Sequence, residues 1–164
     1  MKIQLRLFFT LLIGLVFLLT ACGGSSSSEE KEHEASEEHA AASVAVSDPE
    51  AKSESKGVGK FTAVQIGELD KAMAEKGQAV FEAKCASCHK VTDEKFVGPG
   101  LKDVTERRTP EWVLNMITNP EEMTKNDPVG KALLEKHLVQ MTFQNVSDEQ
   151  AREILEYFRK NDHH

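Results

Sequence analysis

Cys85-Ala86-Ser87-Cys88-His89 places two thiols and an imidazole within five residues. Thiols at this spacing have three chemistries open to them. They can cycle between dithiol and disulfide, supply half of a tetrahedral zinc site, or bond covalently to a ligand that the next imidazole then holds through a metal. A redox dithiol of the thioredoxin kind expects a strand before it, whereas a helical pattern precedes Cys85. A zinc site needs a second Cys/His pair, and none stands elsewhere in the sequence.

The third chemistry has a geometric basis. Two thiols three positions apart can bond the two vinyl-derived carbons on one edge of a porphyrin, and the following residue then sets its imidazole beneath the iron. The string C-x-x-C-H is the attachment signature for one covalent haem c, with Cys85 and Cys88 as thioether donors and His89 as proximal iron ligand. The chain holds one further cysteine, Cys22. Its assignment to lipid, given next, leaves no thiol for a disulfide.

Residues 1–21 read as an export signal: Lys2 and Arg6 open it, an apolar run follows, and Thr20-Ala21 gives a small-residue exit before Cys22. The apolar run is too short for a comfortable membrane span. Leu19-Thr20-Ala21-Cys22 resembles a bacterial lipobox. That resemblance implies that Cys22 becomes the first mature residue and carries a diacylglycerol, with a second acylation giving a stable anchor. Residues 22–66 then form an acidic, Ser/Glu-rich tether. The stretch 23–59 has no aromatic residue, so disorder is expected. Its His33 and His39, and the closing His163 and His164, read as solvated side chains rather than a metal site.

The foldable unit is residues 67–164. Of 164 residues in the whole chain, 27 are acidic and 20 are basic, giving a formal charge of −7. That balance argues against nucleic acid as a partner. A helix is predicted over 69–84, interrupted by Gly77, where close contact with another backbone would explain a glycine. Thr109-Pro110-Glu111 has the form of a helix start, and Asn119-Pro120 of its stop. Asp127-Pro128 opens a short helix through Lys136. Ser147 with Gln150 forms a capping box for a last helix whose stripe is Ala151, Ile154, Leu155 and Phe158. No segment alternates as a strand should, so the fold class is all-α.

Across about 95 residues the sequence resembles the class I cytochrome c family. The match runs from Gly77 and Phe81 through the C-x-x-C-H string and Gly98-Pro99-Gly100-Leu101 to the Trp112 helix. It ends with a methionine loop and Tyr157-Phe158. The resemblance implies a small fold whose first and last helices cross near Gly77, around a covalently bound haem with one edge exposed. It implies Met141 as distal iron ligand, although Thr142 stands where the family often has proline; His137 is the runner-up. Met116 reads as core and Met123 as a solvated surface methionine. The carbonyl of Pro99 should orient His89, and Arg107, Arg108 and Trp112 are candidates for the haem propionates. Lys84, Lys90, Lys95 and Lys102 flank the motif as a docking ring or a solvated face.

Met/His ligation raises the reduction potential and fills both axial positions. The expectation is therefore a non-enzymatic one-electron carrier, monomeric and lipid-anchored on the extracytoplasmic side of a bacterial membrane. It would take electrons from a quinol-oxidising complex or cytochrome and give them to a terminal oxidase or reductase. The alternative is a haem-based gas or redox sensor, or the haem subunit of a reductase complex, with a labile sixth ligand.

Overall fold

The computed structural model describes residues 46–163. The export signal, Cys22 and its lipobox, the tether up to residue 45 and its histidines, and His164 lie outside the described residues. Among those described there are six helices and no strand, an all-α architecture.

Helix α1 (Lys71–Lys84) starts where Asp70 accepts the Met73 N–H at 2.9 Å. Helix α6 (Asp148–Asp162) opens with the full capping box, Ser147 and Gln150 each accepting the other's backbone N–H at 3.2 Å. The two cross at Gly77. A Cβ there would be driven into the Glu153 carbonyl and the Ile154 amide, so only glycine allows the backbones to meet. Phe81 of α1 closes the crossing against Tyr157 and Phe158 of α6, with centroids 5.6 and 5.7 Å away.

Between them the chain makes a short turn of helix, α2 (Val104–Arg107), and then three proline-initiated helices. These are α3 (Pro110–Thr118), α4 (Pro120–Asn126) and α5 (Pro128–His137). Proline costs nothing at a helix's first position, where its missing N–H would have no partner. Thr109 caps α3 through Trp112 N–H, and Asp127 caps α5 through Gly130 N–H at 2.8 Å. Pro120 ends α3 as expected, but it also begins α4, which the sequence pattern does not reveal. Apolar residues of α3 (Val113, Leu114, Ile117) and α6 (Ile154, Leu155, Phe158) make the core.

Two expectations are corrected. Met123 is not a solvated methionine: it is fully buried in α4, and its sulfur accepts the Val58 N–H at 2.9 Å. Residues 46–66 are not a disordered tether but a strap laid along the domain. Polar side chains of the domain take up its backbone. Asn115 bonds Lys56 O, Phe61 O and Phe61 N–H at 2.9 to 3.1 Å, Glu111 accepts Val64 N–H, and Arg108 donates to the carbonyls of Pro49 and Ala51. Val46, Phe61 and Val64 pack on the core. Composition misjudges the strap because polar groups on other elements hold it, where a hydrophobic face of its own would show in the sequence.

Candidate functional site

The cleft of interest lies between the α1–α6 crossing, α3 and the segment after α5. It is open-mouthed, and its walls are almost wholly apolar and drawn from all six helices. A lining so wide, with so few polar groups, suits an apolar organic ligand rather than a water or a bare ion.

Helix α1 delivers the reactive string. Cys85 caps its C-terminus, donating to Phe81 O, and the chain winds one more turn, with Cys88 and His89 amides both on Cys85 O at 3.0 Å. Cys85 and His89 line the cleft, and Cys88 sits exposed on the same turn. Burial pushes the Cys85 thiol up, outweighing the nearby Lys84 charge. A buried, protonated thiol is the reverse of an attacking redox thiolate.

His89 is fixed by the returning loop. Gly98 N–H bonds Cys88 O and Leu101 N–H bonds Lys90 O, which brings Pro99 O to 2.9 Å from His89 Nδ1. A carbonyl can only accept, so Nδ1 carries the hydrogen and Nε2 keeps its lone pair. Burial lowers the His89 pKa, partly offset by the Pro99 bond, a shift toward the neutral ring that a metal ligand must be. A Cβ at Gly98 would stand 2.5 Å from His89 Cε1, so the ring rests on a bare backbone.

Met141 and His137 line the same cleft, as do Met116, Leu133, Ile154 and Phe158. Met116, expected in the core, packs partly on the core and partly on this wall. The polar contribution comes from Glu50, Arg107, Arg108 and His137. Glu50 Oε2 accepts from Arg107 at 2.7 Å, and Glu50 Oε1 accepts from His137 Nε2 at 2.9 Å. Burial would raise the Glu50 carboxyl, but the His137 bond and the charges of Arg107 and Lys136 hold it below its ordinary value.

The candidates for propionate contact separate. Arg107 lines the cleft, bonded to Glu50 and to Gly100 O at 3.2 Å. Arg108 also lines it, but its terminal nitrogens are committed to the strap and to Arg107 O. Trp112 gives its indole N–H to Asp127 Oδ1 at 2.9 Å, so that hydrogen is not free for a ligand. Asp127 is a buried hub: it also accepts from Ser55 Oγ and Gly130 N–H. Of the flanking lysines, Lys84 is drawn to Asn145 O at 2.7 Å and Lys90 lies over the Phe96 ring. Glu50 was missed because it sits in the stretch read as tether. The acidic residue alone carried no signal.

The donor set fits a covalently held haem. Two thiols, a neutral imidazole with a free Nε2, a thioether and an apolar slot stand together, and one buried nitrogen, His137 Nδ1, has no partner among the described residues.

Comparison with known proteins agrees. The cytochrome c family profile matches residues 74–162. "Cytochrome c-553-like" of Synechocystis sp. is 33% identical over 49 residues, 30% of this chain and 47% of that protein. "Cytochrome c-551" of Stutzerimonas stutzeri is 48% identical over 40 residues, 24% of this chain and 38% of that protein. The chain thus spans half or less of the length of these curated relatives. The structure of "Cytochrome c from Rhodothermus marinus" superposes with a TM-score of 0.61 at 42% identity, covering 63% of this chain and 90% of that one. An engineered form of that protein, bound to a carbene intermediate, is 40% identical with a TM-score of 0.59, covering 65% of this chain and 92% of that one.

Proposed function

We propose, from the premise that the chain belongs to the cytochrome c family, that it is a membrane-tethered one-electron shuttle with His89 and Met141 as its axial ligands. One haem c, bound covalently, supplies reversible one-electron chemistry at iron. The observation that carries the reading is the His89–Pro99 contact at 2.9 Å, which leaves Nε2 with a free lone pair in an apolar cleft that Met141 also lines.

The chain's residues perform the remaining tasks. Cys85 and Cys88 hold the cofactor against loss, so it need not be bound tightly by packing alone. Pro99 fixes the His89 tautomer and ring plane, which raises the basicity of the ligand. Leu133, Ile154 and Phe158 give the cleft an apolar wall. Were a haem iron held by both His89 and Met141, which line the same cleft, no coordination position would be left for a substrate, and that would suit transfer of an electron and little else.

Location and partners extend the same reading. The lipobox at 19–22 supports a lipid anchor on the extracytoplasmic side, with a membrane quinol-oxidising complex or cytochrome as donor and an oxidase or reductase as acceptor. Exposed apolar residues flank the cleft, namely Phe96 and Val97 before Pro99, and Leu138, Val139 and Phe143 around Met141. They support docking by apolar contact more than by a lysine ring, since Lys84 and Lys90 are already engaged. The same residues favour a second reading, a haem subunit in permanent complex. A monomer at micromolar concentration in sedimentation supports the shuttle; self-association or co-purification with one fixed subunit supports the complex.

The ligand assignment is tested by the visible spectrum of the oxidised protein. A weak red-end band from methionine sulfur on ferric iron, lost in Met141→Ala, upholds it. Absence of that band in the unmutated protein overturns it.

A further inference from the structure

His137 is more than nine-tenths buried, with a side-chain exposure of 9%. Its Nε2 faces Glu50 Oε1 at 2.9 Å, and since a carboxylate only accepts, Nε2 carries the hydrogen. Its Nδ1 is buried without any partner among the described residues, while the residue lines the cleft. A buried nitrogen left without a partner is unfavourable, so a group belonging to the loaded protein is expected to meet it. Charge decides which kind. Among the charged side chains lining the cleft, the guanidiniums of Arg107 and Arg108 stand against the single carboxylate of Glu50. That wall suits an anion, and the anionic parts of a haem are its two propionates.

Resting on the haem reading above, we propose that His137 sits as an imidazolium between two carboxylates, Nε2–H on Glu50 and Nδ1–H on a haem propionate, and that Glu50, delivered by the strap, is the positioning residue that fixes the ring. Glu50 does two things at once. One oxygen holds His137, and the other holds Arg107, whose second terminal nitrogen is on Gly100 O. Through Glu50 the strap therefore reaches the cofactor site and contributes to its electrostatics. The competing role for such a histidine is iron ligation, because a ring backed by a carboxylate is also how metal-bound imidazoles are held. Met141 on the cleft wall and the cationic surplus beside His137 favour the propionate.

The test uses the full chain loaded with haem, unmutated and as Glu50→Ala, Glu50→Gln, His137→Ala and His137→Gln, each checked for helix content by circular dichroism. Resonance Raman reads the propionate bending mode and spectroelectrochemistry the reduction potential. In His137→Ala the mode moves down and the potential falls, because a propionate charge left uncompensated near the iron favours the ferric state. His137→Gln keeps an N–H donor and recovers part of both. Glu50→Ala moves the mode the same way, and Glu50→Gln, which keeps an acceptor for Nε2–H, recovers part. The red-end methionine band persists in all four. An unmoved propionate mode in folded, haem-loaded His137→Ala overturns the assignment. So does a change of axial ligation in that variant, which would make His137 an iron ligand. If the unmutated chain yields no thioether-bound haem, the underlying reading falls, and this assignment with it.

Discussion

Cys85, Cys88 and His89 come off one turn of chain, and Pro99 reaches His89 after only ten residues. Glu50, Arg107 and His137 line the same cleft but arrive from three separate elements, 57 and 87 residues apart. The first cluster is held by local geometry: a helix end, a turn and a loop that folds back through two backbone bonds. The second exists only once the strap, α2 and the end of α5 are all in place. The difference teaches that a covalent anchor can be encoded in five residues, whereas the charged wall beside it is a product of the whole fold. Damage to each should therefore look different.

The largest effect is expected from Cys85→Ser with Cys88→Ser. Covalent haem, assayed by haem staining after denaturing electrophoresis, should fall to background; retention of a covalent adduct would break the comparison. Next is Gly98→Ala, whose Cβ meets the His89 ring 2.5 Å away. We expect covalent haem to remain, a stability loss of about 1–3 kcal/mol, and a weakened methionine band as the ring tilts. A variant with an unchanged spectrum would show that the loop yields and the ring does not.

Asn115→Ala acts on the second cluster from a distance. It removes three hydrogen bonds to the strap at a position 1% exposed, for a loss of about 2–3 kcal/mol in denaturant unfolding. Strap amides should exchange faster with deuterium while those of α6 do not. Equal acceleration in both would mean that the strap and the helix crossing open as one unit.

The smallest effect is on acidification. The Glu50 carboxyl lies below its ordinary value of 4.5 in the folded chain. Its contribution is therefore complete above that value and is lost as pH falls through the lower folded one. Hydrogen exchange at strap amides near Glu50 should accelerate over that range ahead of α1, and Glu50→Gln should remove this share of the acid dependence, leaving that of Glu111, whose carboxyl is likewise lowered and holds Val64 N–H. Glu50 is part-exposed, so solvent screens much of the effect.

How much of this was legible in the sequence follows the same division. The C-x-x-C-H string, the Ser147–Gln150 box, the X-Pro helix starts at Pro110 and Pro128, and Gly77 are short-range signals, read from residues within a turn of each other. A third start, Asn119-Pro120, reads only as a stop because the same dipeptide serves both purposes. Met123 sits between glutamates and a lysine, and nothing nearby in sequence shows that Val58 lies on its sulfur. Arg108 and Trp112 have the right chemistry for a propionate, but a sequence does not show that Pro49, Ala51 and Asp127 claim their hydrogens first.

The strap also has a place in time. Glu50 leaves the ribosome among the first residues of the domain, yet its bond to His137 waits for 87 more. Closing so long a loop costs chain entropy that local contacts do not. Most of the strap's bonds, to Arg108, Glu111 and Asn115, close over shorter loops than this one. Glu50 is thus made early, but the side of the cleft that it shares with His137 is complete only once α5 has been made and packed.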